Sequence, residues 1–342
     1  VMKMKKSNVK KICDKVVTMG EIMLRLTPPD YSKIERANNF LANYGGGEAN
    51  VAVSLSHFGH NCYFLTKLPP NELGDGALRH LKGHGVNVDY VVRGSSTMGI
   101  YFLESGFGGR PGKVIYNRKH SAATRMEISE FDWEAIFKDA TWFHLSGITL
   151  ALSVKTRNVA LRALKEAKKY GVKVSFDFNY RSKLWTIEEA KQYYPLVMPY
   201  VDTLFASPYD LTEILGLDKS LDEDALFRKA IETYDLDYVF GKTRKIFSST
   251  DNSMRAYVYS KEERVETDEI EFQILDRIGA GDAFAAGVIH ALLKDYSNPL
   301  FAAKFGIVNS ILKQTIFGDV SIFKEEDILD YMSNLGRVEV KR

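Results

Sequence analysis

The chain has 342 residues, of which 45% are hydrophobic and 26% charged, and its formal net charge is +2. No apolar run approaches the roughly 18 residues that cross a bilayer, which argues against a membrane protein, and the small, dispersed charge argues against nucleic-acid binding. The length predicts one large α/β domain, or one domain with an appendage, rather than two equal halves.

The chain opens with a basic stretch, and we expect residues 1–11 to form a disordered tail ahead of one folded domain at 12–335. No apolar segment long enough for a signal peptide follows this stretch. The cysteines, Cys13 and Cys62, offer no disulfide framework. These features predict a cytoplasmic protein.

The predicted elements are, in chain order, a strand at 16–19, a helix at 49–58, a strand at 63–65, a helix at 75–82 and a hairpin at 99–104 and 113–116. From residue 142 we predict strands at 142–145, 173–178, 203–206 and 238–240, helices at 154–170 and 187–194, a helix from Ser207 to about Gly216, and further helices from about 282 and 299. Segments 255–260 and 264–267 are suited to pair as strands. Alternating strands and helices indicate parallel βαβ units, whose ligand site lies at the carboxyl ends of the strands.

The segment from Asp276 to Gly287 is the most informative, because a glycine turn leads directly into a helix rich in small residues. Glycines let backbone N–H groups approach a phosphate closely, and the helix dipole adds to the attraction. A carboxylate in this turn, Asp282, is well placed to take a proton from an alcohol that attacks phosphorus. The alternative is that Asp282 only caps its helix.

The triple glycine at 45–47 also precedes a helix and allows a ligand to lie against bare backbone. Glu48 and Asn50 carry groups that hydrogen-bond sugar hydroxyls. The alternative is a flexible hinge without a ligand.

Two arginines, Arg118 and Arg181, each follow a predicted strand. A guanidinium binds a carboxylate through two parallel hydrogen bonds, so the pair favours an acidic sugar over a neutral one. Either arginine alone is equally consistent with a structural ion pair.

Two familiar nucleotide motifs are absent from the sequence. Gly112-Lys113 is not a Walker loop, because the glycine required five residues earlier is Phe107 and the next residue is Val114. The first strand has no G-x-G-x-x-G after it, so a dinucleotide-binding half is not supported.

Between about Val16 and Asp319 the chain resembles the ribokinase-like, or PfkB, carbohydrate kinase family, and within it the 2-keto-3-deoxygluconate kinases. The motifs that carry the resemblance are Asp276-Arg277-Ile278-Gly279-Ala280-Gly281-Asp282-Ala283-Phe284, Gly45-Gly46-Gly47-Glu48-Ala49-Asn50, Ile115-Tyr116-Asn117-Arg118 and Asp177-Phe178-Asn179-Tyr180-Arg181. The resemblance implies a Rossmann-like, mostly parallel α/β sheet flanked by helices, with a small β lid from about 24–44 and 99–117. It also implies a homodimer or higher homo-oligomer formed through the lid.

The resemblance implies ATP and Mg²⁺ as cofactors and an acidic sugar as substrate. Asp282 is the expected base, and the amides of Gly279, Ala280 and Gly281 are expected to stabilise the transferring phosphoryl group. The expected substrate-binding residues are Gly46, Gly47, Asn50, Tyr101, Tyr116, Arg118 and Arg181. The expected nucleotide-binding residues are Asn179, Ser207, Gly279 and Gly281, with Asp210 at the metal.

Two departures affect the nucleotide side of this expectation. Ser207 and Asp210 stand where the family has asparagine and then glutamate three residues later. The family's lysine-glycine turn is replaced by Phe240-Gly241-Lys242-Thr243-Arg244, which leaves the adenine pocket poorly defined by the sequence.

The expected reaction is phosphorylation of the terminal hydroxyl of 2-keto-3-deoxygluconate. The alternatives are a kinase for 2-keto-3-deoxygalactonate, fructose or ribose, and a sugar-binding protein that retains the fold without turnover. The arginines disfavour neutral sugars, but they do not separate epimers.

Overall fold

The structure, a computed structural model, describes residues 14–334, so the predicted tail at 1–11 lies outside the described residues. The strands are β1 (Lys15–Met19), β2 (Met23–Thr27), β3 (Leu41–Gly45), β4 (Asn61–Leu68), β5 (Val91–Arg93), β6 (Ile100–Glu104), β7 (Lys113–Asn117), β8 (Ala140–Ser146), β9 (Lys173–Asp177), β10 (Thr203–Phe205), β11 (Tyr238–Ile246), β12 (Asp251–Tyr259), β13 (Arg264–Glu266) and β14 (Ile270–Gln273). The helices are α1 (Gly47–His57), α2 (Glu72–Gly83), α3 (Trp133–Phe137), α4 (Gly147–Leu152), α5 (Val154–Lys169), α6 (Ile187–Val197), α7 (Glu223–Tyr234), α8 (Ala280–Lys294), α9 (Pro299–Lys313) and α10 (Glu325–Ser333).

The main sheet has ten strands in the order β13-β12-β11-β10-β9-β8-β1-β4-β5, with β14 also paired to β12. From β5 to β11 all neighbours are parallel, whereas β12 pairs antiparallel with β11, β13 and β14. The predicted α/β class and mostly parallel sheet are therefore confirmed. The carboxyl ends of the parallel strands lie along one edge, where a ligand site is expected.

A second sheet, the lid sheet, has the order β3-β2-β6-β7. Its strands match the segments predicted for the lid to within one residue, and β6 and β7 form the predicted hairpin, which is antiparallel. Strand β2 pairs antiparallel with β3 and parallel with β6, which places Arg25 beside Tyr101.

Helices cover both faces of the main sheet. Residues of α3, α5, α6 and α7 pack in one apolar cluster, and residues of α1, α2, α8, α9 and α10 pack in the other. The small residues of α8 allow close helix packing, since a Cβ on Gly287 would lie 2.8 Å from the Cα of Gly306 in α9. This contact fixes the position of α8, which begins at the glycine turn predicted to bind phosphate.

Helix ends follow the local sequence signals. The Ser153 side chain accepts from the amide of Thr156 at the start of α5, and Gly171, with a φ of 68°, follows its end. The helix predicted after Ser207 contains a π-helical turn at Asp210–Ile214. Among the described residues, no helix is both long and apolar enough to span a membrane.

Candidate active site

A cavity of about 1420 Å³ lies between the lid sheet and the carboxyl ends of the parallel strands. The cavity wall includes the predicted site residues Gly46, Gly47, Asn50, Tyr101, Tyr116, Arg118, Asn179, Arg181, Gly279, Ala280, Gly281 and Asp282. The topology therefore brings together residues that are far apart in the sequence. Ser207 and Asp210 do not belong to this wall.

The phosphate turn, residues 276–282, enters α8 through Gly279, whose φ is 79°. A side chain there is excluded, because a Cβ on Gly279 would lie 1.7 Å from the carbonyl oxygen of Asp319. The first N–H groups of a helix have no intrahelical acceptor. Gly279, Ala280 and Gly281 all lie on the cavity wall, and the amide of Ala280 also donates to the carbonyl of Arg277 over 3.3 Å. The turn thus has the geometry of an anion site.

Asp282 lies in the first turn of α8, and its Oδ2 accepts a hydrogen bond of 2.7 Å from Nδ2 of Asn50. The N-cap of this helix is Gly279, and no side chain caps it. Asp282 is therefore not the cap that the alternative interpretation required. Burial raises the pKa of Asp282 to about 6, and the hydrogen bond from Asn50 opposes this rise. Such a pKa suits a general base at neutral pH.

The triple glycine is tightly packed rather than a free hinge. A Cβ on Gly46 would lie 1.9 Å from the carbonyl oxygen of Glu21, and one on Gly45 would lie 2.3 Å from Oδ2 of Asp319. The amide of Gly46 donates to Oδ1 of Asn50 over 3.2 Å. This bond and the one to Asp282 together fix the orientation of the Asn50 amide group.

Glu48 does not face the cavity, so our expectation that it contacts sugar hydroxyls is wrong. It is only 1% exposed, and its Oε1 accepts from the Ser146 amide at 3.0 Å and the hydroxyls of Ser146 and Thr149, each at 2.7 Å. Glu48 follows the glycines along the helix start and points back into the protein, where it joins α1 to α4.

Asp177, which the sequence analysis did not single out as a site residue, ends β9 on the cavity wall. Burial raises its pKa to about 7, and Lys242 opposes the rise. Its Oδ1 accepts from the amide of Asn179 at 3.1 Å, and Asn179 takes a φ of 39°, which asparagine tolerates. This geometry turns the Asn179 side chain toward Gly47. A Cβ added to Gly47 would lie 3.8 Å from Nδ2 of Asn179.

Lys242, also missed, extends from β11 into the cavity. Its Nζ lies 4.9 Å from the ring centroid of Phe284 and 3.8 Å from the position that a Cβ on Gly281 would take. Within residues 14–334 no carboxylate pairs with Lys242 at salt-bridge distance. The surrounding protein excludes water and lowers its pKa, although the side chain itself is open to the cavity. An unpaired ammonium group therefore lies next to the phosphate turn.

The two predicted arginines differ in their surroundings. The Nε of Arg118 donates to Oε2 of Glu21 over 2.8 Å, and Nη2 contacts the same oxygen. The other oxygen, Oε1, accepts from Ser121. Arg181 forms no ion pair among the described residues, and its Nη1 donates to the backbone of Tyr180 at 3.1 Å. Arg181 thus has no ion-pair partner among the described residues, and the same is true of Arg277 on this wall, whereas Glu21 balances the charge of Arg118.

Tyr101 and Tyr116 stand side by side on the cavity wall, with ring centroids 5.7 Å apart. Tyr116 is 40% exposed, and its ring lies 5.6 Å from the Arg118 guanidinium carbon. The Tyr101 hydroxyl donates to Oδ2 of Asp319 and is therefore already engaged.

Ser207 and Asp210 bind each other behind the cavity. Oδ2 of Asp210 accepts from the amide of Ser207 at 2.8 Å and from its hydroxyl at 2.7 Å. The roles of both residues toward nucleotide and metal stay predictions. The charge of Asp210 contributes to the raised pKa of Asp177, so the two carboxylates share one electrostatic environment.

Comparison with known proteins decides the family. Residues 14–303 match the model of the pfkB family carbohydrate kinases. The chain belongs to this family. The 2-dehydro-3-deoxygalactonokinase of Haloferax volcanii is 32% identical over 92% of this chain and 95% of its own. The crystal structure of 2-dehydro-3-deoxygluconokinase from Thermotoga maritima is 41% identical, covers 94% of this chain and 98% of its own, and has a TM-score of 0.90.

A more distant structure from E. coli was solved in complex with ATP and Mg²⁺. It is 19% identical, covers 94% of this chain and 99% of its own, and has a TM-score of 0.81, which shows a shared fold. This protein is accordingly a carbohydrate kinase of the pfkB family, close to the kinases of 2-keto-3-deoxy sugar acids.

Proposed function

We propose that this kinase transfers the γ-phosphoryl group of ATP to the terminal hydroxyl of 2-keto-3-deoxygluconate, giving 2-keto-3-deoxy-6-phosphogluconate. The observation that carries the proposal is the position of Asp282, which opens to the cavity beside the phosphate turn and is held by Asn50. The hydroxyl oxygen forms a bond to the γ-phosphorus, and the bond to the β–γ bridging oxygen breaks and releases ADP. The hydroxyl proton passes to Asp282.

The transferring phosphoryl group carries charge on its equatorial oxygens, and the protein stabilises this charge by fixed donors. The amides of Gly279, Ala280 and Gly281 provide these donors at the start of α8. Lys242 adds an ammonium group that has no salt-bridge partner among residues 14–334, although Asp177 and Asp282 favour its charged form. Phosphate binding would in turn stabilise the charged form of Lys242.

An acidic substrate is supported by the unequal arginines. Arg181 lacks an ion-pair partner in the described chain and is the better candidate to bind a carboxylate through two hydrogen bonds. Arg118 also lies on the cavity wall, where its pair with Glu21 fixes its position. The rings of Tyr101 and Tyr116 form the wall beside it.

Mg²⁺ fits the site as an ion shared with the nucleotide. No group of three or more acidic, histidine or cysteine side chains in residues 14–334 is arranged to hold a metal. Mg²⁺ is commonly bound by one or two carboxylates together with substrate phosphates and water. Asp177 is a carboxylate of the cavity wall that the transfer step leaves unused, and Asp210 is close enough to influence its pKa. When bound, the ion would neutralise phosphate charge.

A second candidate substrate is 2-keto-3-deoxygalactonate, which the name of the Haloferax volcanii relative favours. The two sugar acids differ in the configuration of one hydroxyl. Both present a carboxylate to Arg181 and a terminal hydroxyl to Asp282, so the same machinery serves either epimer.

The test is to incubate the purified chain with ATP, Mg²⁺ and each sugar acid, and to follow the phosphorus NMR spectrum and the product mass. We expect a new phosphomonoester at the terminal carbon and stoichiometric ADP. Release of inorganic phosphate without a sugar phosphate would contradict the proposal and point to a binding protein with weak hydrolysis.

We also propose a homodimer through the lid sheet in the cytoplasm. The lid strands carry exposed apolar side chains: Leu41 is 54% exposed, and Ile115, which also borders the cavity, is 44% exposed. Light scattering should give twice the chain mass for the wild type and a smaller mass for Leu41→Glu. A monomeric wild type would contradict this assembly.

A further inference from the structure

Arg25 is a lid residue that is fully enclosed, with 1% of its surface exposed. Its guanidinium makes three hydrogen bonds, from Nη1 to Oδ1 of Asp319 at 2.8 Å, from Nη2 to Oδ2 of Asp276 at 2.5 Å, and from Nε to the hydroxyl of Thr27 at 2.8 Å. Both carboxylates belong to segments that form the phosphate turn or support it. Arg25 therefore joins the lid sheet to the reacting centre.

Asp276 is the first residue of the phosphate turn, and its polar atoms are all engaged. Oδ1 accepts from the amide of Ile278 at 3.1 Å, and Oδ2 accepts from the amide of Gly318 at 3.0 Å. Its carbonyl accepts from the buried ammonium group of Lys313 at 2.9 Å. These bonds fix the path of the chain into Gly279.

Asp319 supports the other side of the turn. The close approach of its carbonyl oxygen to Gly279 makes it the surface on which the turn rests. Its carboxylate is held by Arg25 and by the hydroxyl of Tyr101, and these two residues are register partners in β2 and β6. Two neighbouring lid strands thus hold one carboxylate.

An apolar contact, which involves no charged group, also joins the lid sheet to the phosphate turn. Ile278, inside the phosphate turn, packs against Met23, Tyr101 and Leu103 of the lid sheet. Two kinds of contact therefore hold the phosphate turn against the lid sheet: the salt bridge of Arg25 with Asp276, and the packing of Ile278.

We propose that Arg25 is a positioning residue for phosphoryl transfer, which acts through Asp276 and Asp319 to hold the amides of residues 279–281 in their productive orientation. This inference rests on the proposed function. Arg25 does not line the cavity, so it does not contact the substrate. Arg25 influences phosphoryl transfer only by holding the phosphate turn in place. The position of the lid sheet therefore sets the geometry of the phosphate site.

The experiment compares Arg25→Lys, Tyr101→Phe and the double variant with the wild type. Lysine keeps the positive charge but lacks the planar guanidinium that bonds both Asp276 and Asp319. Phenylalanine removes only the hydroxyl of Tyr101. Small displacements of a reacting group reduce rates strongly, so we expect Arg25→Lys to lower kcat about tenfold or more and Tyr101→Phe to lower it by a factor of about three to ten. The KM for the sugar acid should change less than about threefold in both, because the substrate contacts remain.

The matched control is Arg157→Lys. Arg157 is also buried, with 8% exposed, and its Nε donates to the carbonyl of Leu150 at 3.0 Å while its guanidinium packs on the ring of Tyr193. It does not contact the phosphate turn. The control should lower the melting temperature as Arg25→Lys does, with kcat kept within about twofold.

The double variant separates positioning from general loss of stability. Because both residues act on Asp319, the loss in kcat of the double variant should be smaller than the product of the two single losses.

Equal kcat in Arg25→Lys and the control, or a Tyr101→Phe effect confined to KM, would overturn the inference while leaving the kinase function intact. If Arg25→Lys does not fold, Tyr101→Phe decides the question by the same split of kcat and KM. A wild type that phosphorylates no sugar acid would overturn the proposed function, and this inference with it.

Discussion

The amide nitrogen Nδ2 of Asn50, at the start of α1, donates to Oδ2 of Asp282, at the start of α8, over 2.7 Å. The oxygen of the same amide accepts from Gly46, so the side chain cannot rotate without losing a bond. Both helices begin at glycines that face one cavity. Their junction therefore places a partly desolvated carboxylate between a bare backbone surface and an anion site.

Replacement of Asn50 by alanine should change the pH dependence of the reaction. The hydrogen bond favours the charged carboxylate, so its loss should raise the pKa of Asp282 above about 6. The acid limb of the kcat profile should then move to higher pH. The control is Asn298→Ala, which removes a helix cap at α9 far from the site. Identical acid limbs in the wild type and Asn50→Ala would contradict the role of Asn50.

Replacement of Lys242 by methionine should lower kcat by about a hundredfold, which is the typical cost of losing one group that stabilises transition-state charge. Lys245 is a matched control on the same strand, since it is paired with Glu269 at 2.7 Å on the surface. Lys245→Met should stay within about twofold of the wild type. Steady-state kinetics at saturating ATP measure both. Equal kcat in the two variants would mean that Lys242 is not a phosphate ligand.

The two arginines should respond differently to truncation. Arg181→Ala should raise the KM for the sugar acid at least about tenfold and leave the KM for ATP unchanged, because a charged bidentate contact is lost. Arg118→Ala should also raise the KM for the sugar acid more than that for ATP. It should further lower the melting temperature, because Glu21 would lose its buried partner. Arg162, which pairs with Glu166 and does not line the cavity, provides the alanine control for the KM values. Equal rises in both KM values would assign the arginines to the fold.

His144 should make folding stability depend on pH. Burial lowers its pKa to about 3 in the folded chain, and its Nδ1 lies 2.8 Å from the Ser175 hydroxyl. Above pH 6.5 the residue is neutral in both states and contributes no difference. As the pH falls below 6.5, the unfolded chain takes up a proton that the folded chain does not, which costs about 1.4 kcal/mol of stability per pH unit.

The measurement is urea unfolding of the wild type and His144→Gln between pH 7.5 and pH 5. The stability difference between the two proteins should shrink as the pH falls, because only the wild type carries this histidine. Subtraction of the two curves removes the opposite contributions of Asp177 and Asp282, whose pKa values are raised. A constant difference between wild type and His144→Gln would contradict the pKa of His144.

Local patterns were sufficient for much of the fold. The regular alternation after residue 142 predicted the parallel strands, and the helix predicted from about 282 begins two residues earlier, at Ala280. The strand predicted at 238–240 runs on to Ile246, because residues 241–246 pair with β12 despite their charged side chains. Their edge-like, polar sequence is typical of a loop, and only the long-range pairing makes it a strand. Helices α3, α4, α7 and α10 were not predicted.

The site was predictable where a motif carries the chemistry and less so where partners come from elsewhere. Asp282 and the phosphate turn follow from one continuous segment. The pairing of Arg118 with Glu21 joins residues 97 positions apart, and no local pattern indicates it. Asp177 had a usable signal, because it ends a buried strand at the edge where the ligand site was expected. Lys242 had a weaker signal, because it follows the strand predicted at 238–240 but its charge resembles that of its exposed neighbours.

The most direct test of the central claim is the comparison of kcat/KM for 2-keto-3-deoxygluconate, 2-keto-3-deoxygalactonate, fructose and ribose, measured by ADP release with Mg²⁺ for the wild type and Asp282→Asn. We predict turnover confined to the sugar acids, and a loss of at least about a hundredfold in kcat for Asp282→Asn with substrate binding retained in calorimetry. Preference for fructose or ribose, or unchanged turnover in Asp282→Asn, would contradict the account.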